Sequence, residues 1–267
     1  MAFFTGNYYS FVLGNNVDIS VVIPTPEGQE QITDTTSDQR YNYEEGLPVV
    51  YLLHGAYGNH SSWPRFSSVE RYAQQHRCVL VTASAGNNFY QDMVHGEKWM
   101  TYFTEELPAY VRRLFPVSKK REDTFVAGFS MGGYGAWYLA LKRPDVYAKA
   151  ASMSGALGIA ELYQSIGKGS ENNPFPWEDI FGDPEKLAGS EADLFHLYQK
   201  DTAAGLVPEL YQACGTEDFL YEHNKYVYAK MQEFGAKITY KEGDGGHNWD
   251  FWDREIKDIL DWMVPRK

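Results

Sequence analysis

Ser130 lies at the centre of a G-x-S-x-G pentapeptide that spans residues 128–132. An apolar run with β character at 124–127 precedes it, and an apolar helical pattern at 133–141 follows it. A strand, a glycine turn with a central serine and a helix form the context of a nucleophile elbow. A Cβ two residues before or after the serine would clash in so tight a turn, which explains the glycines. The pattern therefore predicts a nucleophilic Ser130, with the helix N-terminus behind it facing any developing anion.

A serine nucleophile needs a base that accepts its proton and a carboxylate that orients the base. After a nucleophile elbow, the chain order is serine, then Asp or Glu, then His. His247 fits the base, because it lies in a glycine-rich loop before the last helical pattern. Asp218 fits the acid, because it follows a strand-like run at 210–214. The sequence thus predicts a Ser130–His247–Asp218 triad.

Other polar residues keep alternatives open. Glu217 is adjacent to Asp218 and could serve as the acid. Asp244 is close to His247 in sequence. Because the two residues share one loop, its carboxylate is poorly placed to meet the imidazole Nδ1. Of the remaining histidines, His54 is expected to brace a turn near the site, and His95 stays open as a residue of the pocket mouth.

The turn His54-Gly55-Ala56-Tyr57-Gly58 follows a continuous apolar run at 47–53. Such a run is typical of a strand buried on both faces of a parallel sheet, and ligand groups gather where such strands end. We expect the backbone N–H groups of Ala56 and Met131 to form an oxyanion hole. The residues predicted to contact substrate are Gly55, Tyr57, Asp92, Met93 and Trp249, with core packing as the alternative for Trp249.

Alternating strand and helix patterns position these residues. The strand-like segments are 3–13, 17–23, 47–53, 77–82, 124–127, 147–154, 210–215 and 237–241. The helical patterns that the strands alternate with include 62–75, 98–115, 133–141, 221–234 and 249–263. Strands that alternate with helices of this length predict an α/β fold, with a mostly parallel sheet covered on both faces.

The segment 157–206 interrupts this alternation, because it is longer than one connecting helix requires. It is rich in glycine, proline and aromatic residues, as in Asn173-Pro174-Phe175-Pro176-Trp177. We predict a cap over the site, too short for a core of its own, within a single domain that spans 1–267. The polar stretch 25–46 is expected to be an exposed loop without a functional signal.

Composition limits the classes of partner. The 267 residues carry a formal net charge of −12, which disfavours binding to nucleic acid and to anionic membranes. Cys78 and Cys214 lie in apolar runs and are expected to be buried free thiols. No leader or membrane-span pattern is visible, so a cytoplasmic location is predicted. No metal-ligand or dinucleotide-binding spacing is present, so no metal and no cofactor is expected. Homo-oligomerisation stays open.

Several longer motifs carry a family resemblance. They are MAFFTGNYYS at the start, LLHGAYGNHSSW at 52–63, GFSMGGYGAW at 128–137, CGTEDFLYEHN at 214–224 and GGHNWDFWD at 245–253. Over nearly its whole length, the chain resembles the α/β-hydrolase esterases that include tributyrin esterases, S-formylglutathione hydrolases, and feruloyl and acetyl xylan esterases. The tributyrin esterases are the most similar branch.

The resemblance implies Ser130 as nucleophile, Asp218 as acid and His247 as base, with oxyanion amides from Met131 and from Ala56 or Tyr57. The expected function is a serine carboxylesterase for small esters with short acyl groups. A feruloyl or acetylated-carbohydrate esterase is the main alternative, and S-formylglutathione hydrolysis and acyl transfer to an alcohol are the others.

Overall fold

An eight-stranded sheet runs through the molecule, in a computed structural model that describes residues 1–28, 30, 41, 43–168 and 175–264. The strands are β1 (Ala2–Ser10), β2 (Asn15–Ile23), β3 (Val49–Leu53), β4 (Val79–Ala83), β5 (Thr124–Phe129), β6 (Lys149–Met153), β7 (Glu209–Gly215) and β8 (Ile238–Gly243). Their order in the sheet is β1-β2-β4-β3-β5-β6-β7-β8. β2 is antiparallel to both of its neighbours, and the other neighbouring pairs are parallel. The predicted mostly parallel sheet is confirmed.

Helices pack on both faces of the sheet. They are α1 (Ser62–Phe66), α2 (Val69–His76), α3 (Trp99–Thr101), α4 (Leu107–Leu114), α5 (Met131–Lys142), α6 (Ile159–Leu162), α7 (Trp177–Phe181), α8 (Leu194–Ala204), α9 (Tyr221–Glu233) and α10 (Trp249–Met263). Alternate residues of β3 belong to different hydrophobic clusters: Tyr51 to the one that contains α5, and Leu52 to the one that contains α2 and α10. Successive side chains of a strand point to opposite faces, so β3 is buried on both.

Two predicted helices are interrupted. The pattern at 62–75 forms α1 and α2, separated by the extended backbone of Ser67. The pattern at 98–115 contains one π-helical turn, Tyr102–Glu106, between α3 and α4. There the N–H of Leu107 donates to the carbonyl of Tyr102, and Pro108 has no N–H to continue α-helical pairing. The sequence periodicity could not reveal this local change.

The segment predicted as a cap contains α6, one π-helical turn (Tyr163–Gly167), α7 and α8. Its residues 169–174, including Asn173 and Pro174, lie outside the described residues. The same holds for residues 29, 31–40 and 42 of the stretch predicted as an exposed loop. Cys78 and Cys214 are buried free thiols, as predicted. In the described part of the chain, no helix combines the length and apolar character needed to cross a membrane.

Candidate active site

Ser130 occupies the turn between β5 and α5, with φ 56° and ψ −123°. A Cβ on Gly128 would overlap the carbonyl of Gly132, and a Cβ on Gly132 would lie 2.5 Å from the carbonyl oxygen of His54. Both positions require glycine, because backbone atoms cannot move aside as a flexible side chain can. The Ser130 N–H donates to the Met153 carbonyl at 2.9 Å. The turn is thus fixed on both sides and holds the serine in a conformation that L-residues rarely adopt.

His247 lies in the loop between β8 and α10. Its Nε2 is 3.0 Å from Ser130 Oγ, and its Nδ1 is 2.9 Å from Oδ2 and 3.1 Å from Oδ1 of Asp218. An ionised carboxylate only accepts hydrogen bonds, so Nδ1 carries the hydrogen and donates it to Asp218. Nε2 is then left to accept the hydroxyl hydrogen of Ser130. The structure brings together the three residues that the sequence predicts, with the imidazole in the middle.

Asp218 is 5% exposed and sits just after β7. The N–H of Leu220 donates to its Oδ1 at 2.8 Å. Burial by itself raises the pKa of Asp218, but the hydrogen bond and charge of His247, the Leu220 N–H and the Ser154 hydroxyl together lower that pKa below its usual value. The carboxylate therefore stays ionised while buried, which is what orienting a histidine requires.

The competing carboxylates do not reach the imidazole. Glu217 has an exposed side chain, and its N–H donates to the Gly245 carbonyl at 3.1 Å. This bond joins the loop after β7 to the loop after β8, and it helps to hold Asp218 beside the base. Asp244 is exposed and forms an ion pair with Arg254 at 3.4 Å.

His54 is buried beneath the turn that follows β3. Its Nε2 accepts a hydrogen bond from the Ala85 N–H at 2.9 Å, so Nδ1 carries the hydrogen and donates it to the Gly55 carbonyl at 2.7 Å. Burial lowers the pKa of His54 to about 4, and the ring is neutral at pH 7. The Tyr90 hydroxyl donates to the His54 carbonyl at 2.8 Å. These bonds brace the turn, in agreement with the sequence-based expectation.

The braced turn brings the candidate oxyanion donors next to the nucleophile. A Cβ on Gly55 would lie 3.2 Å from the Cβ of Ser130, so the two backbones are in close contact. The N–H of Tyr57 already donates to Asn87 Oδ1 at 2.9 Å. Of the two alternatives in this turn, Ala56 therefore stays the expected oxyanion donor, together with Met131 at the first position of α5.

Ser130 opens into a cavity of about 570 Å³. The predicted contact residues Gly55, Tyr57 and Trp249 are among its walls. The other side chains that carry the walls are Phe66, Phe129 and Trp252 on one side, Phe89, Leu162, Ile166 and Phe175 on another, and Phe219 and Leu220 beside His247. His247 is the only titratable side chain in these walls, apart from the Tyr57 phenol, among the residues that the structure describes. The cavity thus suits an uncharged, apolar ligand.

The structure does not bring Asp92 and Met93 into this cavity, contrary to the sequence-based prediction. The Asp92 carboxylate accepts the N–H and the hydroxyl of Thr101 at 2.9 and 2.6 Å, so it holds the start of the helical segment after it. Met93 packs against the hydrophobic core, and its N–H donates to the Glu97 carbonyl at 3.1 Å. Both side chains have structural partners that the sequence pattern did not indicate.

Several wall residues were not predicted from the sequence. Phe219 directly follows Asp218, and its ring centroid is 4.6 Å from that of His247, so adjacency to the acid was an available signal. Phe66 lies at the end of α1, and Phe175 belongs to the segment after β6. No sequence pattern distinguishes these two rings from ordinary core aromatics, because only the folded chain brings them to the serine.

The sheet and the strand–Ser130–helix turn define the class: a serine hydrolase with the α/β-hydrolase fold. The model of the Esterase family, described as "Putative esterase", matches residues 37–263, so the chain belongs to that family. An acetyl esterase of Caldicellulosiruptor saccharolyticus is 32% identical over 268 residues and covers 98% of each chain.

Two solved structures from Staphylococcus aureus are also similar. FphF, a fluorophosphonate-binding serine hydrolase with substrate bound, has a TM-score of 0.85 and 32% identity over 98% of both chains. The S-formylglutathione hydrolase FrmB, as apoenzyme, has a TM-score of 0.82 and 32% identity over 98% of both chains. These findings confirm the predicted fold, the resemblance to esterases and the assignment as a serine ester hydrolase.

Proposed function

We propose that this esterase hydrolyses short, uncharged acyl esters through an acyl-enzyme on Ser130. The observation that carries the proposal is the hydrogen-bonded series from Ser130 through His247 to Asp218, whose first two members line an apolar cavity. The geometry satisfies what a serine nucleophile needs, namely a base within reach and a carboxylate behind the base.

In the proposed reaction, Ser130 Oγ attacks the carbonyl carbon while its proton passes to His247 Nε2. The N–H groups of Ala56 and Met131 stabilise the oxyanion of the tetrahedral intermediate. The intermediate collapses, the bond to the alcohol oxygen breaks, and the alcohol leaves with the proton from Nε2. A water molecule then attacks the acyl-enzyme by the same route and releases the acid.

The sheet order supports an assignment of the two halves of the substrate. Phe89 follows β4, and His247 follows β8, on opposite sides of the strand that carries Ser130. The departing alcohol takes its proton from His247, so we place it beside Phe219. The acyl group then lies on the other side, against Phe89 and Phe175, whose ring centroids are 4.5 Å apart.

The apolar walls of the cavity favour some of the substrates named for the similar proteins over others. The carboxylates of a glutathione conjugate need cationic partners, and no Lys or Arg lies among the described walls of the cavity. The net charge of −12 opposes such a substrate as well. A specific observation favours acetylated sugars or feruloyl esters as the second candidate: the rings of Phe66 and Trp249, 5.5 Å apart, provide apolar faces on which a sugar or aromatic ring can stack.

A hydrolysis panel tests the proposal. It compares p-nitrophenyl acetate through octanoate, methyl ferulate, acetylated xylan and S-formylglutathione, with Ser130→Ala as the matched control. We expect kcat/KM to be highest for the short p-nitrophenyl esters and to fall with acyl length. S-formylglutathione as the best substrate would contradict the proposed substrate class. A Ser130→Ala variant that keeps more than about a thousandth of the turnover would contradict the mechanism.

Transfer in place of hydrolysis is tested in the same panel by adding glycerol or a sugar as acceptor. We expect hydrolysis to dominate. Acyl transfer that outpaces hydrolysis would identify the protein as an acyltransferase with the same nucleophile.

A further inference from the structure

The strand β1 forms an open edge of the sheet. It pairs with β2 on one side, over nine residue pairs without a bulge. No other described segment pairs with its outer side. In an antiparallel ladder, alternate residues direct their N–H and C=O groups to one neighbour and the residues between them direct theirs away from it. At about 3.4 Å per residue, nine residues present an open hydrogen-bonding edge of roughly 30 Å.

This edge lacks the features that normally prevent strands from pairing. Its sequence, AFFTGNYYS, contains no charged residue and no proline. Proteins commonly protect a long edge with charges, prolines or bulges. The opposite edge of the same sheet, β8, carries Lys241 and Glu242 within ITYKEG. The contrast indicates that β1 is kept open for a partner strand.

Exposed aromatic side chains accompany the free edge. Phe3, Phe4 and Tyr9 are 46%, 49% and 53% exposed, and Phe11 in the adjoining turn is 88% exposed. Apolar side chains gathered in this way mark an interaction surface more often than single exposed ones do. The whole chain carries a net charge of −12, so an uncharged strip is where two copies can approach with the least repulsion.

The sequence of β1 has the same chemical pattern in both directions from Gly6. Counted outward, the pairs are Thr5 with Asn7, Phe4 with Tyr8, Phe3 with Tyr9, and Ala2 with Ser10. A two-fold dimer uses one surface twice, so that surface must complement itself. Antiparallel pairing about Gly6 places polar residues opposite polar residues and aromatic rings opposite aromatic rings, and such cross-strand aromatic pairs stabilise sheets.

We propose that two copies of this chain associate through antiparallel pairing of their β1 strands about Gly6, which joins two eight-stranded sheets into one. The self-complementary pattern selects a second copy over a strand of another protein. Three strands separate β1 from the strand that carries Ser130, so each copy keeps its own cavity.

Sedimentation velocity and light scattering on the full chain test the pairing. Wild type is expected at twice the 30.5 kDa chain mass. In the proposed register, Phe3 faces the partner's Tyr9. A double variant that carries Phe3→Lys and Tyr9→Lys therefore places like charges opposite each other and should have the monomer mass. Phe3→Lys with Tyr9→Glu replaces the same two rings but sets opposite charges against each other, and should keep the dimer mass.

Hydrolysis of p-nitrophenyl acetate at the wild-type rate shows that each variant is folded, because β1 is remote from the cavity. A monomeric wild type at every concentration would overturn the proposal. So would a doubly lysine-substituted variant that stays dimeric, since the dimer would then use another face. If both double variants are monomeric, pairing about Gly6 is refuted.

Discussion

Two buried aspartates, Asp218 in the candidate active site and Asp201 in the segment after β6, have very different surroundings. Asp218 accepts hydrogen bonds from His247 and from the Leu220 N–H, and these partners lower its pKa although burial opposes them. Asp201 in α8 is 8% exposed, and its Oδ2 has no hydrogen-bond partner among the described residues. Burial raises the pKa of Asp201 to about 6.

Both carboxylates are buried, so burial alone does not identify a functional acid. Hydrogen-bond donors surround Asp218 and keep it ionised. For Asp201 in α8, desolvation is the largest effect, and it favours the protonated form. Hydrogen bonds within and between the loops at the ends of the strands therefore determine the charge state of Asp218. Among the described residues, the segment after β6 supplies apolar wall to the cavity through Leu162, Ile166 and Phe175.

The largest expected effect comes from making the same substitution at both aspartates. Asp218→Asn should lower kcat by about 10⁴-fold, because an amide at this place no longer fixes the tautomer in which Nε2 accepts the serine proton. Asp201→Asn is the matched control and should leave kcat for p-nitrophenyl acetate unchanged. Equal losses in both variants, or no loss in Asp218→Asn, would remove the distinction between the two sites.

The glycines of the serine turn give the next effect. Gly132→Ala brings a Cβ to 2.5 Å from the His54 carbonyl oxygen and should lower the free energy of unfolding by about 3 kcal/mol, measured by urea denaturation. Gly28→Ala is the control, because a Cβ there meets no atom of the described residues within 4 Å. A Gly132→Ala protein as stable as Gly28→Ala would contradict the backbone contact described for the turn.

A smaller effect separates the two sides of the cavity. Phe175→Ala should raise kcat/KM for p-nitrophenyl octanoate relative to acetate by about 10-fold, since removing the ring makes room where we place the acyl chain. Phe219→Ala, on the side assigned to the alcohol, should leave this ratio unchanged. If Phe219→Ala shifts the ratio and Phe175→Ala does not, the two halves of the substrate are assigned the wrong way round.

The last effect concerns stability and not activity: Asp201 makes the free energy of unfolding depend on pH. Its pKa is about 6 in the folded chain and about 3.9 when unfolded, so between these values the folded state binds more protons. The free energy of unfolding should therefore fall as pH rises from 4 to above 6. Asp201→Asn should remove this part of the slope and stabilise the protein at pH 7. An unchanged slope in the variant would show that Asp201 titrates normally.

That Ser130, His247 and Asp218 lie together was predictable, because the position of each follows a local rule. The backbone contact at Ser130 demands two glycines, and His247 and Asp218 come where strands end, in the chain order of this fold. The residues alone favoured Asp218 but left Glu217 open as an alternative. In the structure Asp218 contacts the imidazole, whereas Glu217 is exposed and its N–H donates to the Gly245 carbonyl.

The cavity walls were less predictable. Asp92 was expected to contact substrate. Its carboxylate instead accepts two hydrogen bonds from Thr101, so it has a structural role. Phe66 and Phe175 reach the cavity from segments far from Ser130 in the chain. Whether a residue lines the cavity depends on long-range packing, and the hydrophobic periodicity of the sequence does not indicate such packing.

The site of covalent labelling by a fluorophosphonate, measured by intact mass and peptide mapping, tests directly whether Ser130 is the nucleophile. We expect one adduct per chain on Ser130, none in Ser130→Ala, and strongly slowed labelling in Asp218→Asn. An adduct on another serine, or full labelling of Ser130→Ala, would contradict it.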